Sequence, residues 1–161
     1  MTDSFKTLHL RPEWLQFIIN EWPGILVFMA AVICLGAESW RGMPLLLFLT
    51  VTSGIYLLLA FLMLRRKLFI LTSETLVYDR GIFFRRADFI ELYRVIDFQE
   101  RQSLLQQLAG LKTVVVYSGD RTTPQLLIPG VRQEEDLIRE LRERVEYNKT
   151  RRGVYEITNR Y

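Results

Sequence analysis

The chain has 161 residues, half of them hydrophobic, with 21 Lys and Arg against 18 Asp and Glu and a net charge of +3. That balance is too small and too mixed in sign for a nucleic-acid protein, but it suits a domain held beside anionic headgroups. The single cysteine, Cys34, makes no intrachain disulfide, excludes a multi-cysteine zinc or iron–sulfur site, and reads as a small buried residue in an apolar run.

In chain order, residues 1–11 read as a polar tail without regular structure. No short apolar run with a small-residue cleavage site follows a charged start, so the chain reads as uncleaved. Residues 12–22 (PEWLQFIINEW) bring Trp14, Leu15, Ile18, Ile19 and Trp22 to helical spacing, with Glu13, Gln16, Asn20 and Glu21 on other faces. Pro12 suits a first helical turn. This predicts an amphipathic helix in the membrane interface, closing an N-terminal region of residues 1–22. The alternative is one longer helix that runs on into the next span.

Residues 23–37 are uncharged over about 15 positions, roughly 22 Å of helix, short for a crossing unless residues 17–22 are borrowed or the bilayer thins. Trp40 is expected at the far interface, in a tight loop. Residues 43–64 then give about 22 positions without a charge, about 33 Å. Arg65, Arg66 and Lys67 follow, and cations beside a span stay cytoplasmic. Residues 23–67 are therefore predicted as a transmembrane hairpin with both ends, and both chain termini, on the cytoplasmic side. Thr50, Thr52, Ser53, Gly54 and Tyr56 interrupt the second span. They mark a seam with Ala30, Ala31 and Gly36, or a contact between protomers. No ionisable residue lies deep in either span as drawn here, which argues against a proton relay.

After Lys67 the period becomes that of strands. Residues 68–72 and 75–79 are predicted strands, with Arg80-Gly81 as a turn into a partner strand at 82–86. Residues 89–95 form another, with Phe89, Glu91, Tyr93 and Val95 on one face. Residues 96–101 follow with Ile96 and Phe98 inward. A short helix at 103–109 has Ser103 placed to cap it and Gly110 to end it. Residues 112–118 are β-branched and central, and a strand at 124–128 ends at Pro129-Gly130. Residues 131–147 form the strongest water-facing helix, with Leu137, Ile138, Leu141 and Val145 in one stripe. Its charges, including the i,i+4 pair Glu140 and Arg144, read as a solvated face. Residues 148–161 are a basic tail in which 153–158 alternate.

Short antiparallel strands closed by one helix describe a small barrel or sandwich. Here residues 71–119 resemble bacterial pleckstrin-homology-like domains of small membrane proteins. The resemblance lies in the Leu71-Thr72 opening, the Arg80-Gly81 turn, the strand from Ile96 to Gln102, and the Ser103-Leu104-Leu105 turn into Gly110-Leu111. Two membrane helices commonly precede such a domain. The resemblance implies a PH-like, partly open, seven-stranded antiparallel β-barrel over residues 68–147, capped by the C-terminal helix. The expected class is an α+β membrane protein of the bacterial inner membrane. It also implies a binding or assembly module, often oligomeric, without an established enzymatic activity and with no dependable phosphoinositide signature.

No catalytic set is visible. His9 stands in the N-terminal tail, no Ser–His or Cys–His pair can be built, and no phosphate-cradling loop or metal-ligand spacing appears. The chain is expected to be no enzyme and to hold no cofactor or metal. The leading expectation is a membrane-anchored scaffold that binds membrane lipid and either its own copies or another membrane-complex protein. Arg151, Arg152 and Tyr155 are its candidate partner contacts, and Trp14, Trp22, Trp40, Arg65, Arg66 and Lys67 its membrane-interface residues. A pore lined by Thr50, Thr52 and Ser53 is a second reading. A headgroup sensor using Arg80, Arg85 and Arg86 is a third. Nucleic acid is set aside, because Phe83, Phe84 and Phe89 read as core.

Overall fold

A computed structural model describes residues 5–37, 42–82 and 84–153. Trp40, Phe83, Tyr155 and most of the alternating segment 153–158 lie outside the described residues. After one short strand come two candidate membrane-spanning helices, α1 (Leu15–Ala37) and α2 (Met43–Arg65), each of 23 residues and about 34 Å long. They pack antiparallel. The Phe17 ring meets Phe61 edge-on at 5.3 Å, and Gly54 lets the Phe28 ring approach to 3.3 Å of where a Cβ would stand. The small residues of α2 therefore include a seam with α1, where Ala31 is buried, while Ala30 is exposed and Gly36 has open space beside it. The outer surfaces of both helices are almost entirely exposed and apolar, and Cys34 is exposed rather than buried.

The helix expected at 12–22 and the first span are one element. Pro23 lies inside α1 without ending it. The polar first turns therefore lengthen a short apolar stretch, and they carry Glu21 into the helix pair, where Tyr56 donates a 2.8 Å hydrogen bond to it.

Among the described residues, the water-facing part holds seven strands in two antiparallel sheets that are not closed into a barrel. Sheet one has the order β1 (Leu8–Leu10), β2 (Leu68–Leu71), β3 (Thr75–Arg80), β4 (Arg86–Glu91). Sheet two has the order β5 (Val95–Arg101), β6 (Leu111–Ser118), β7 (Gln125–Arg132). Between β5 and β6 lies α3 (Leu104–Leu108), and α4 (Leu137–Arg151) closes the chain. The core between sheets and α4 includes Phe69, Leu71, Leu76, Ile90, Leu92, Val95, Val114, Val116, Ile128 and Leu141.

Several expectations need correction. Residues 8–10 of the supposed tail form β1, an edge strand in which His9 pairs with Ile70. The partner of β3 is Arg86–Glu91, not residues 82–86, because the register Leu76↔Ile90 buries both side chains. The segment 89–95 is not one strand. A single 3-10 turn, Leu92–Arg94, carries the chain from sheet one to sheet two. A bulge between Val95 and Asp97 then turns Val95 inward and Ile96 outward, 67% exposed. Phe84 and Phe89 are surface residues, not core.

Nor does β7 stop at Pro129. It is an edge strand, where a missing N–H is tolerated, and a register shift between Lys112 and Val114 absorbs the Pro129-Gly130 step. With Val131 and Arg132 held in β7, α4 starts late, capped by the Asp136 side chain, which accepts from the Arg139 N–H. It then runs four residues past Tyr147, into the supposed tail.

Candidate functional site

The candidate site is the junction between helix pair and sheets, and it begins with Gln16. This side chain, in the first turn of α1, is buried and hydrogen-bonded to Asn20 at 2.8 Å and Gln106 at 2.9 Å. Gln106 also donates to Thr113 at 2.8 Å, and it forms with Ser103 a capping box that fixes α3. Beside this cluster, the Glu13 N–H donates to the Gly130 carbonyl at 3.1 Å. The Glu13 carboxylate pairs with Arg132 at 2.6 Å. Gly130 has φ +68, and a Cβ there would stand 3.0 Å from that of Gln16, so glycine allows both the backbone turn and the close approach. On the other side, only Arg66 and Lys67 separate α2 from β2. The sheets are thus fixed to both helices at one end of the pair.

Among the clefts at this junction, two gather the cations of the helix ends and the first hairpin. The larger, about 760 Å³, lies between α1, the free ends of β3 and β4, and β7. Its cations are Lys67, Arg80 and Arg86. Arg80 and Arg86 both hold Asp88, at 3.4 and 3.2 Å. Burial, and then the charge of Arg80, pushes the Lys67 ammonium below its ordinary range. The second cleft, about 490 Å³, lies at the end of α2 and is lined by Arg11, Arg65, Arg66 and Arg85 around Asp79. Here Arg85 donates to Asp79 from Nε at 2.9 Å, and this hydrogen bond holds the Asp79 carboxyl below the usual carboxylate range.

The structure therefore divides the arginines of the first hairpin. Arg80 and Arg86 enter one cleft, Arg85 the other. Trp14, just ahead of α1, and Trp22, within it, are exposed. Arg151 pairs with Glu74 at 2.7 Å, and the Arg152 guanidinium stacks 4.2 Å from the centre of the Tyr93 ring, so both fasten the end of α4 to its own domain. Among the described residues no group of three or more His, Cys, Asp or Glu side chains stands together as a metal site.

Sequence reasoning passed over Gln16, Gln106, Arg11 and above all Arg144. Arg144 is not on a solvated face: it is 2% exposed. It donates to the carbonyls of Leu71 and Thr72, both at 3.1 Å, and of Lys6 at 2.9 Å, and it pairs with Glu140 at 3.3 Å. A signal existed. Positions 137, 141, 144 and 148 follow the 4-3-4 spacing of one helix face, and Asn148 is buried on it too.

The family model of the bacterial PH domain matches residues 16–147, so the matched pattern includes both apolar helices and the strands β2 to β7, with β1 outside it. No curated protein and no solved structure matches the chain. A helix pair followed by two antiparallel sheets and a closing helix, matched over that length, makes the chain a member of the bacterial PH-domain family.

Proposed function

We propose that this chain is a membrane-anchored, cytoplasm-facing interaction module of the bacterial inner membrane, serving as a scaffold or assembly component. It associates with its own copies or with another membrane-complex protein. The observation that carries this reading is the seat at Gln16, Gly130 and Arg132. Polar contacts hold the sheets to α1 on one side, and the two-residue step from α2 holds them on the other. A domain seated in this way presents a constant face to partners confined to the same plane, where effective concentration is high. Its surface carries large apolar side chains such as Phe89 and Ile96, which suit protein contact. Arg11, Arg65 and Arg66 gather at the domain side of the helices, in keeping with a cytoplasmic domain.

The pore reading draws no support from α2. The hydroxyls of Thr50, Thr52 and Ser53 donate to the carbonyls of Leu46, Phe48 and Leu49, and Gly54 lies against Phe28. Crosslinking in host membranes, followed by purification, mass spectrometry and a mass for the intact particle, tests the proposal. The expected outcome is a homo-oligomer or a complex with a second membrane protein. A monomer that captures nothing would sink it. Removing residues 154–161 while leaving α4 whole is expected to weaken assembly without loss of fold.

A further inference from the structure

Arg65 and Arg66 end α2, Arg11 links β1 to α1, and Arg85 comes from the loop between β3 and β4. These four lie far apart in sequence, yet they line one cleft. Among the described residues Asp79 is the only acid lining it, and Arg85 already occupies that carboxylate. Among the described residues, no side-chain hydrogen bond or ion pair engages Arg11, Arg65 or Arg66. Three unengaged guanidinium groups in one concavity repel one another. An anion with several oxygens removes that repulsion and offers each a forked hydrogen-bonding partner.

The same cleft has an apolar wall. Leu62, exposed one turn back along α2, and Ile82 line it. Leu62 belongs to α2, an apolar helix in which Leu64 alone of the described residues is buried. A free anion has no use for such a wall, whereas an acyl chain does. We propose that this cleft binds the phosphate of an anionic phospholipid, with an acyl chain lying along Leu62 of α2. Arg80 and Arg86 take no part, because they share Asp88 in the other cleft. This inference stands independently of the scaffold reading.

The test uses the full chain in detergent, titrated with phosphatidylglycerol or with phosphatidylcholine, and counts lipid retained per protomer by native mass spectrometry. Phosphatidylglycerol is expected to be retained in preference to phosphatidylcholine, and less so as salt is raised. Arg11→Gln, at an exposed and unpaired side chain, is expected to weaken phosphatidylglycerol binding about fivefold. Arg11→Gln with Arg85→Gln is expected to weaken it by more than about tenfold. Arg80→Gln removes the same charge from the other cleft and is expected to leave binding within about twofold. Equal retention of both lipids overturns the proposal, and so does unchanged binding in the double variant. An equal loss with Arg80→Gln, meaning diffuse attraction only, overturns it too. Displacement of the lipid by equimolar inorganic phosphate would also overturn it, by making this a free-anion site.

Discussion

Replacing Arg144 by alanine tests whether a buried guanidinium, rather than the apolar stripe alone, locks α4 onto the sheets. The side chain reaches three backbone carbonyls on two separate stretches of chain, Lys6 ahead of β1 and Leu71 and Thr72 at the end of β2. Its guanidinium also lies 5.2 Å from the centre of the Phe5 ring. A hydrogen bond to a charged group contributes about 1.5–3 kcal/mol, so three of them set a generous upper bound. Against that stands the desolvation of the guanidinium, several kcal/mol, which the wild type bears and the variant does not. Among the described residues its Nε has no partner, so part of that cost is uncompensated. The net expectation for Arg144→Ala is a loss of about 3–4 kcal/mol, within the range for breaking a buried charged network. Arg144→Met keeps the packing of the stem and is expected to cost about 2–3 kcal/mol. The assay is urea unfolding of the full chain in detergent micelles, followed by the circular dichroism of the strands. Removing residues 1–7 takes away Phe5 and the Lys6 carbonyl, so in that background the cost of Arg144→Ala is expected to fall by about 1 kcal/mol. If alanine costs less than about 1 kcal/mol in the intact chain, the guanidinium is a passenger on the stripe and the reasoning fails.

Three further outcomes are expected. Gly130→Ala forces a left-handed backbone on alanine and presses its Cβ against Gln16. It should cost about 1–2 kcal/mol and loosen the sheets from α1, read as faster proteolysis between β7 and α4. Gln106→Ala removes the α3 capping box and leaves buried Gln16 short of a partner. It should lower stability by about 1–2 kcal/mol, measured by the same urea unfolding. Asp79 has a folded-state pKa below its unfolded value, so its contribution is complete above the unfolded value of about 3.9 and is lost as pH falls through the folded one. The melting-temperature gap between wild type and Asp79→Asn should therefore be flat from neutral pH down to about 5 and shrink below about 4. A gap that grows toward acid pH would contradict this.

The second helix was legible because its signal is summed over more than twenty uncharged positions, whereas the first was split at Pro23, a proline that α1 carries without ending. The central strand β6 was legible for a related reason. Val114, Val115 and Val116 are all buried, so a continuous β-branched run gives it away without any need for register. Registers at the edges were a different matter. A one-residue bulge such as that between Val95 and Asp97 inverts every later side chain, and nothing local in the sequence marks it. The position of β4 was decided by which residue could stand opposite Leu76, and that depends on contacts across the fold.

The same distinction governs the candidate site. Arg65, Arg66 and Lys67 announce themselves as a cluster because they are neighbours in sequence, yet the fold sends Lys67 to one cleft and the two arginines to the other. Arg80, Arg85 and Arg86 also look like one patch and are divided in the same way. Strand geometry is the cause. Arg80 and Arg86 face each other across the last rung of β3 and β4, while Arg85 sits in the loop beyond. Arg11 joins Arg85 only because β1 pairs with β2 and so brings the start of α1 beside the end of α2. Sequence proximity thus groups these charges by chain position, whereas ligand chemistry depends on which guanidinium groups are left without a carboxylate. In this chain the structure makes that separation: Asp88 engages one pair of arginines and Asp79 engages Arg85. The cations still unengaged at the end of α2 are the ones through which an anionic lipid would reach the domain.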